Sequence, residues 1–83
     1  MQFHYAKHFS KQFKKYQRNT QERIRKAILE IPQGDITKIK GDKDLPPMYR
    51  LRVGTFRVLF RMSETDVFIE WLDSRGDIYK KLK

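Results

Sequence analysis

The segment Met48–Met62 constrains this chain more than any other: it reads Met-Tyr-Arg-Leu-Arg-Val, then Gly-Thr, then Phe-Arg-Val-Leu-Phe-Arg-Met. Side chains of a strand point alternately to opposite faces. The alternation therefore sends Tyr49, Leu51, Val53, Phe56, Val58, Phe60 and Met62 to one face and Arg50, Arg52, Arg57 and Arg61 to the other. Gly54-Thr55 in the middle suits a two-residue hairpin turn with glycine first. The apolar face has to be covered. A solvated sheet face often carries arginine, but it ordinarily mixes signs, and here only Glu70 on the following strand breaks the run. Guanidinium groups in reach of one another repel unless an anion sits among them. The pattern points to a face that receives phosphate.

The remaining elements follow from their own periodicities. Gln2–Lys7 reads as a first strand, with Phe3 and Tyr5 on one side. Ser10 stands where a helix N-cap belongs, and Phe9, Phe13 and Tyr16 form one stripe of a short helix that ends near Arg18. Asn19 and Glu22 have the chemistry of a capping box for a second helix. Its stripe is Ile24, Ala27, Ile28 and Ile31, and Pro32 and Gly34 stop it. Residues 35–47, with Gly41, Pro46 and Pro47 as breakers and Ile36, Ile39 and Leu45 as anchors, read as a connecting loop. After the hairpin, Ser63–Asp66 turns the chain into a last strand in which Val67, Ile69 and Trp71 alternate with Phe68, Glu70 and Leu72. The expected fold is α+β: an amino-terminal strand, a helical hairpin and a three-stranded antiparallel meander. Together these make a four-stranded sheet with the helices on one face.

With 83 residues the chain has room for one small two-layer domain spanning 1–83, too little for separate cofactor and catalytic units. A net charge of +9 favours a polyanionic or acidic partner. Most of the excess lies outside the arginine face: residues 1–34 hold eight Lys/Arg against two acids, which serves encounter with a polyanion. Cysteine is absent, which removes disulfides, thiolate nucleophiles and cysteine-based zinc sites. Gly-rich phosphate loops and Ser-His-Asp sets are absent too, and Asp73 and Asp77 offer too few converging oxygens for a metal. No metal and no small-molecule cofactor is expected. His4 and His8 read as ordinary surface residues, which argues against a histidine-pair nuclease. No apolar run is long enough to cross a bilayer, so the expectation is a cytoplasmic protein without membrane contact.

From Ile36 to Tyr79 the order of features resembles the RelE/ParE toxin superfamily. The resemblance rests on a lysine-rich loop with glycine, "LPPMYRLRVGTFRVLFRM", an acidic turn, a hydrophobic strand and "SRGDIYKKL". It is closer to the RelE branch. Members of that branch are ribosome-dependent mRNA endonucleases, ParE-like members poison DNA gyrase, and both are neutralised by a small antitoxin protein. Carried onto matching positions, the resemblance implies RNA binding by Arg50 and Arg52 and catalytic roles for Arg57, Arg75 and Tyr79. Arg61 lies outside the family pattern and is added as a backbone contact. The implied partners are a cognate antitoxin, mRNA in the ribosomal A site and ribosomal RNA. The RelE pattern has lysines where this chain has Arg50 and Arg52, and arginine holds phosphate well but accepts protons poorly. A gyrase inhibitor without nuclease activity, or an inactive homologue that still binds antitoxin, stays open on the same residues.

Overall fold

The computed structural model describes residues 1–40 and 45–74. Seven elements follow in chain order: β1 (Gln2–Tyr5), α1 (Lys7–Phe13), α2 (Arg18–Leu29), β2 (Ile36–Lys40), β3 (Met48–Val53), β4 (Phe56–Met62) and β5 (Asp66–Asp73). They form one five-stranded sheet in the order β1-β5-β4-β3-β2. The helices carry the chain from the β1 edge to the β2 edge, and the meander then returns strand by strand until β5 lies parallel to β1.

The expected four-stranded antiparallel sheet under a helical hairpin is thus replaced by a five-stranded mixed one. The extra strand, β2, comes from the segment read as a loop: Ile36, Thr37 and Lys38 pair with Leu51, Arg50 and Tyr49. It is an edge strand with little burial, and exposed Lys38 is the kind of residue that protects such an edge from further pairing. Its apolar content is correspondingly weak in sequence. Leu45, expected as an anchor, is 49% exposed, and Gly41 lies outside the described residues. Each helix packs on the sheet, α1 along β5 and α2 against β3. Gln21 ties them together by donating from Nε2 to the carbonyls of Phe13 and Tyr16, both at 3.0 Å.

Both helices begin earlier than their side-chain signals suggest. Ala6 donates its N–H to Ile69 at the end of the β1–β5 pairing, so the chain leaves the sheet there and α1 starts at Lys7, with Ser10 inside it. The α2 N-cap is Gln17, and Asn19 accepts instead from the adjacent Thr20 N–H at 2.8 Å. Burial, rather than capping, sets these starts: Phe9, Ile24 and Ile28 are all under 4% exposed.

The hairpin forms as read. Val53 pairs with Phe56, Gly54 has φ 60°, and among the described residues no non-glycine has positive φ. A positive φ at the first loop position alone matches a II′ turn. Beyond it, a bulge between β4 and β5 changes the face count: Leu59 pairs with Trp71 but Phe60 with Ile69, leaving Glu70 as the extra residue. Leu72 consequently enters the core at 1% exposure, and Trp71 turns to the opposite face, where it packs on Met48 and Leu59. The expected partition of Trp71 and Leu72 is reversed.

Phe9, Ile24, Ile28, Leu51, Val58 and Phe60 centre the core between helices and sheet. Each such side chain contributes roughly 1.5–3 kcal/mol by leaving water. This layer fixes the sheet as a platform whose other face carries the arginines.

Candidate functional site

Strand register lays out the sheet face opposite the helices in rows. Nearest the hairpin turn, Arg52 stands directly opposite Arg57, and Arg57 is opposite Asp73 on β5. The next row runs Thr37, Arg50, Leu59, Trp71. The far row holds Met48, Arg61 and Phe68. Directly opposed side chains on neighbouring strands have Cβ atoms about 5 Å apart, which makes Arg52 and Arg57 neighbours, and Arg50 lies two residues from Arg52 on the same face of β3, diagonal to Arg57. Arg61 lies four residues along β4 from Arg57, roughly 13 Å at the strand rise.

The four arginines differ in what holds them. Arg52 is exposed. Arg50, half-buried, donates from Nη2 to Thr37 Oγ1 at 3.1 Å. Arg57, also half-buried, donates from Nη1 to the Phe56 carbonyl at 3.3 Å. Arg61 is fastened at both ends: Nη1 donates to the Pro46 carbonyl at 2.9 Å, and Nε lies 3.4 Å from Glu70 Oε2. The bulge that displaces Trp71 also presents Glu70 to Arg61. Between these groups Met48 (4% exposed) and Leu59 (1%) form a small second cluster with Ile39 and Trp71. The face is therefore a cationic trio at the hairpin end, an apolar strip, and a neutralised arginine beyond it.

Arg75 and Tyr79 lie outside the described residues, as does Asp77. Among the described residues no three His, Cys, Asp or Glu side chains converge as a metal would require, and no helix is long and apolar enough to cross a membrane. Thr37 and Asp73 are additional polar members of the face. Thr37 was hidden because its strand read as a loop; the alternation of Ile36, Thr37 and Lys38 was the available signal.

The histidines are more engaged than their sequence context suggests. His8 stacks on Trp71 with ring centroids 3.4 Å apart, which puts an imidazole at the β5 margin of the arginine face. His4 stacks on Phe68 at 4.9 Å and contacts Asp66 Oδ1 through Nε2 at 2.7 Å. The Asp66 carboxyl is held below its ordinary range, first by the Thr65 hydroxyl and then by His4.

Chemically, the trio is suited to a phosphodiester. Arginines fixed at their stems by strands offer forked donors to phosphate oxygens, and their mutual repulsion is relieved when an anion enters. The chain is similar to a chain of the archaeal RelE–RelB complex from Pyrococcus horikoshii OT3, at 24% identity and TM-score 0.73, covering 90% of this chain and 94% of that one. It is also similar to a chain of the RelB–RelE antitoxin–toxin complex from Methanococcus jannaschii, at 26% identity and TM-score 0.71, with 96% and 99% covered. Neither the protein-family models nor the curated proteins yield a match to this sequence. The fold is that of a component of toxin–antitoxin complexes.

Proposed function

We propose that this protein is the toxin side of a toxin–antitoxin pair and cleaves mRNA in the ribosomal A site without a metal, with the cationic trio as its phosphate site. The observation that carries the reading is the opposed pair Arg52–Arg57 flanked by Arg50 on a face left uncovered by the helices. A toxin rather than an antitoxin is favoured by the self-sufficient core and the charge of +9, which calls for an acidic neutralising partner. In the reaction the ribose 2′-oxygen attacks the adjacent phosphorus and the bond to the 5′-oxygen breaks. A 2′,3′-cyclic phosphate and a 5′-hydroxyl result, one proton leaving the nucleophile and one reaching the leaving oxygen. Arg57 and Arg75 stabilise charge growing on the phosphoryl oxygens. Arg50 and Arg52 hold the backbone in line. Tyr79 stacks on a base or passes a proton, a role arginines fill poorly. Arg61, engaged by Glu70 and Pro46, adds at most a distant backbone contact.

Primer extension on mRNA with programmed ribosomes tests this. Cutting by the parent should fall on the order of 100-fold in Arg57→Ala, and Tyr79→Ala should also be impaired. Unchanged cutting by both variants rejects the site. An inactive parent that inhibits gyrase supercoiling would assign the fold to the non-nuclease function instead.

A further inference from the structure

The cationic trio accounts for the backbone of a bound strand and leaves its bases without a place. Along the β5 margin of the same face stand two stacked ring pairs, each joining an aromatic side chain of β5 to a histidine from the start of the chain. His4 stacks on Phe68 with centroids 4.9 Å and planes 15° apart, and His8 stacks on Trp71 at 3.4 Å and 14°. Phe68 and Trp71 are three residues apart, an odd separation that in a regular strand would send them to opposite faces. The bulge at Glu70 removes the conflict: Phe68 pairs with Arg61 and Trp71 with Leu59, both on the arginine face. Parallel pairing of β1 sets His4 beside Phe68, and His8 comes from the first turn of α1.

We infer that these two stacks are nucleobase subsites for single-stranded RNA, receiving bases next to the phosphate held by Arg52 and Arg57. Neighbouring strands lie about 4.8 Å apart, so the β5 rings stand one strand from Arg57 on β4. Charge separates the two roles. The hairpin end is cationic, whereas along the margin Glu70 engages Arg61 and Asp66 engages His4. Carboxylates there repel phosphate, and a neutral planar ring is the part of a nucleotide that the margin accepts. Exposure agrees: His4 is exposed and Phe68, His8 and Trp71 are half-buried, while the helix-side rings of Phe9 and Phe60 are under 4% exposed. Trp71 is backed by Met48 and Leu59, so its stack is set before RNA arrives and little ordering is lost on binding. A base added to either pair extends a stack already begun, and such stacking tolerates any sequence because every base has a π face. Because the subsites take their anchor from the trio, they rest on its reading as a phosphate site.

Trp71 is the only tryptophan of the chain, so its emission reports on the margin directly. Full-length protein is titrated with a short labelled oligoadenylate and with an abasic strand of the same length, following Trp71 emission and label anisotropy. Oligoadenylate should change the emission, and the abasic strand should bind roughly 5- to 150-fold more weakly for each stacked base lost. Phe68→Ala and His8→Ala should each lower affinity within that range, and His8→Phe should restore it. The slope of log affinity against log salt should stay at the parent value in all three, because no phosphate contact is lost. A thermal melt checks the fold of each variant, and His4→Ala, at an exposed position, serves if His8→Ala does not fold. Equal binding of the two strands with the salt slope intact overturns the subsites and leaves the phosphate site standing. Absence of salt-dependent RNA binding by the parent overturns both. An altered slope in His8→Ala, or a larger emission change with an acidic peptide than with RNA, also rejects bases as the occupants.

Discussion

Replacing Arg52 by glutamate should strengthen the fold and weaken RNA binding, opposite effects from one substitution. In the free protein Arg52 and Arg57 are direct cross-strand partners, and like charges so placed destabilise a sheet by a few tenths to about 1 kcal/mol. Arg52→Glu converts that repulsion into an attraction. Because Arg52 is exposed and Asp73 already lies opposite Arg57, the lower half of the range applies, about 0.5 kcal/mol. With about 2.1 cal/mol/K of unfolding entropy per residue, a chain of 83 residues gains about 3 °C in Tm. RNA responds in the other direction. Losing one phosphate contact lowers the slope of log affinity against log salt by about 0.7 for a single strand, and the new carboxylate adds repulsion. The assays are a thermal melt and anisotropy titrations of a labelled oligoribonucleotide across 50–200 mM salt. A lowered Tm together with unaltered affinity and slope would refute the reasoning, because Arg52 would then be supporting the sheet rather than awaiting an anion.

Three further outcomes are expected. Leu72→Ala should cost about 2–5 kcal/mol in urea unfolding, since Leu72 is 1% exposed in the core; a cost under about 1 kcal/mol would mean that the bulge at Glu70 is absent and Trp71 occupies the core. Gly54→Ala should destabilise by about 1 kcal/mol, because φ is 60° and the new methyl would approach Arg23 Nη2 to 2.8 Å; equal or higher stability in denaturant melts would contradict the turn geometry. The lowered Asp66 pKa makes its contribution to stability whole above the ordinary carboxylate value of 3.8 and lost as the pH falls through the depressed folded-state value. Asp66→Asn should flatten that acid limb of a Tm-versus-pH curve, and an unchanged limb would place the dependence on another carboxylate.

What could be read locally was read well, and what depended on distant partners was not. The hairpin through Gly54 was visible because strict alternation and a turn with glycine first each constrain the same residues. The stripes of Phe9–Phe13 and Ile24–Ile28 were visible for the same reason, since the period of burial is written into the chain. The α1 start was misplaced because Ser10 offers capping chemistry that the Ala6 contact and the burial of Phe9 override, and α2 starts after Gln17 rather than at Asn19. Strand β2 escaped because an edge strand buries little on either side and needs only a partner, Met48–Val53, to exist. At the site, Arg50, Arg52 and Arg57 were identifiable as one face. Nothing in their own segment indicated that Glu70 and Pro46 would engage Arg61, or that His8 would reach Trp71.

By itself the sequence determined the periods, and with them the apolar and cationic faces of β3 and β4, because side-chain direction along a strand or helix follows from backbone geometry alone. Only the tertiary structure decided how the strands are ordered, that β1 runs parallel to β5, and which side chains leave the pattern at a bulge. Those choices depend on which surfaces meet across the sheet, and a contact between residues as far apart as Gln2 and Asp66 leaves no periodic trace in either segment.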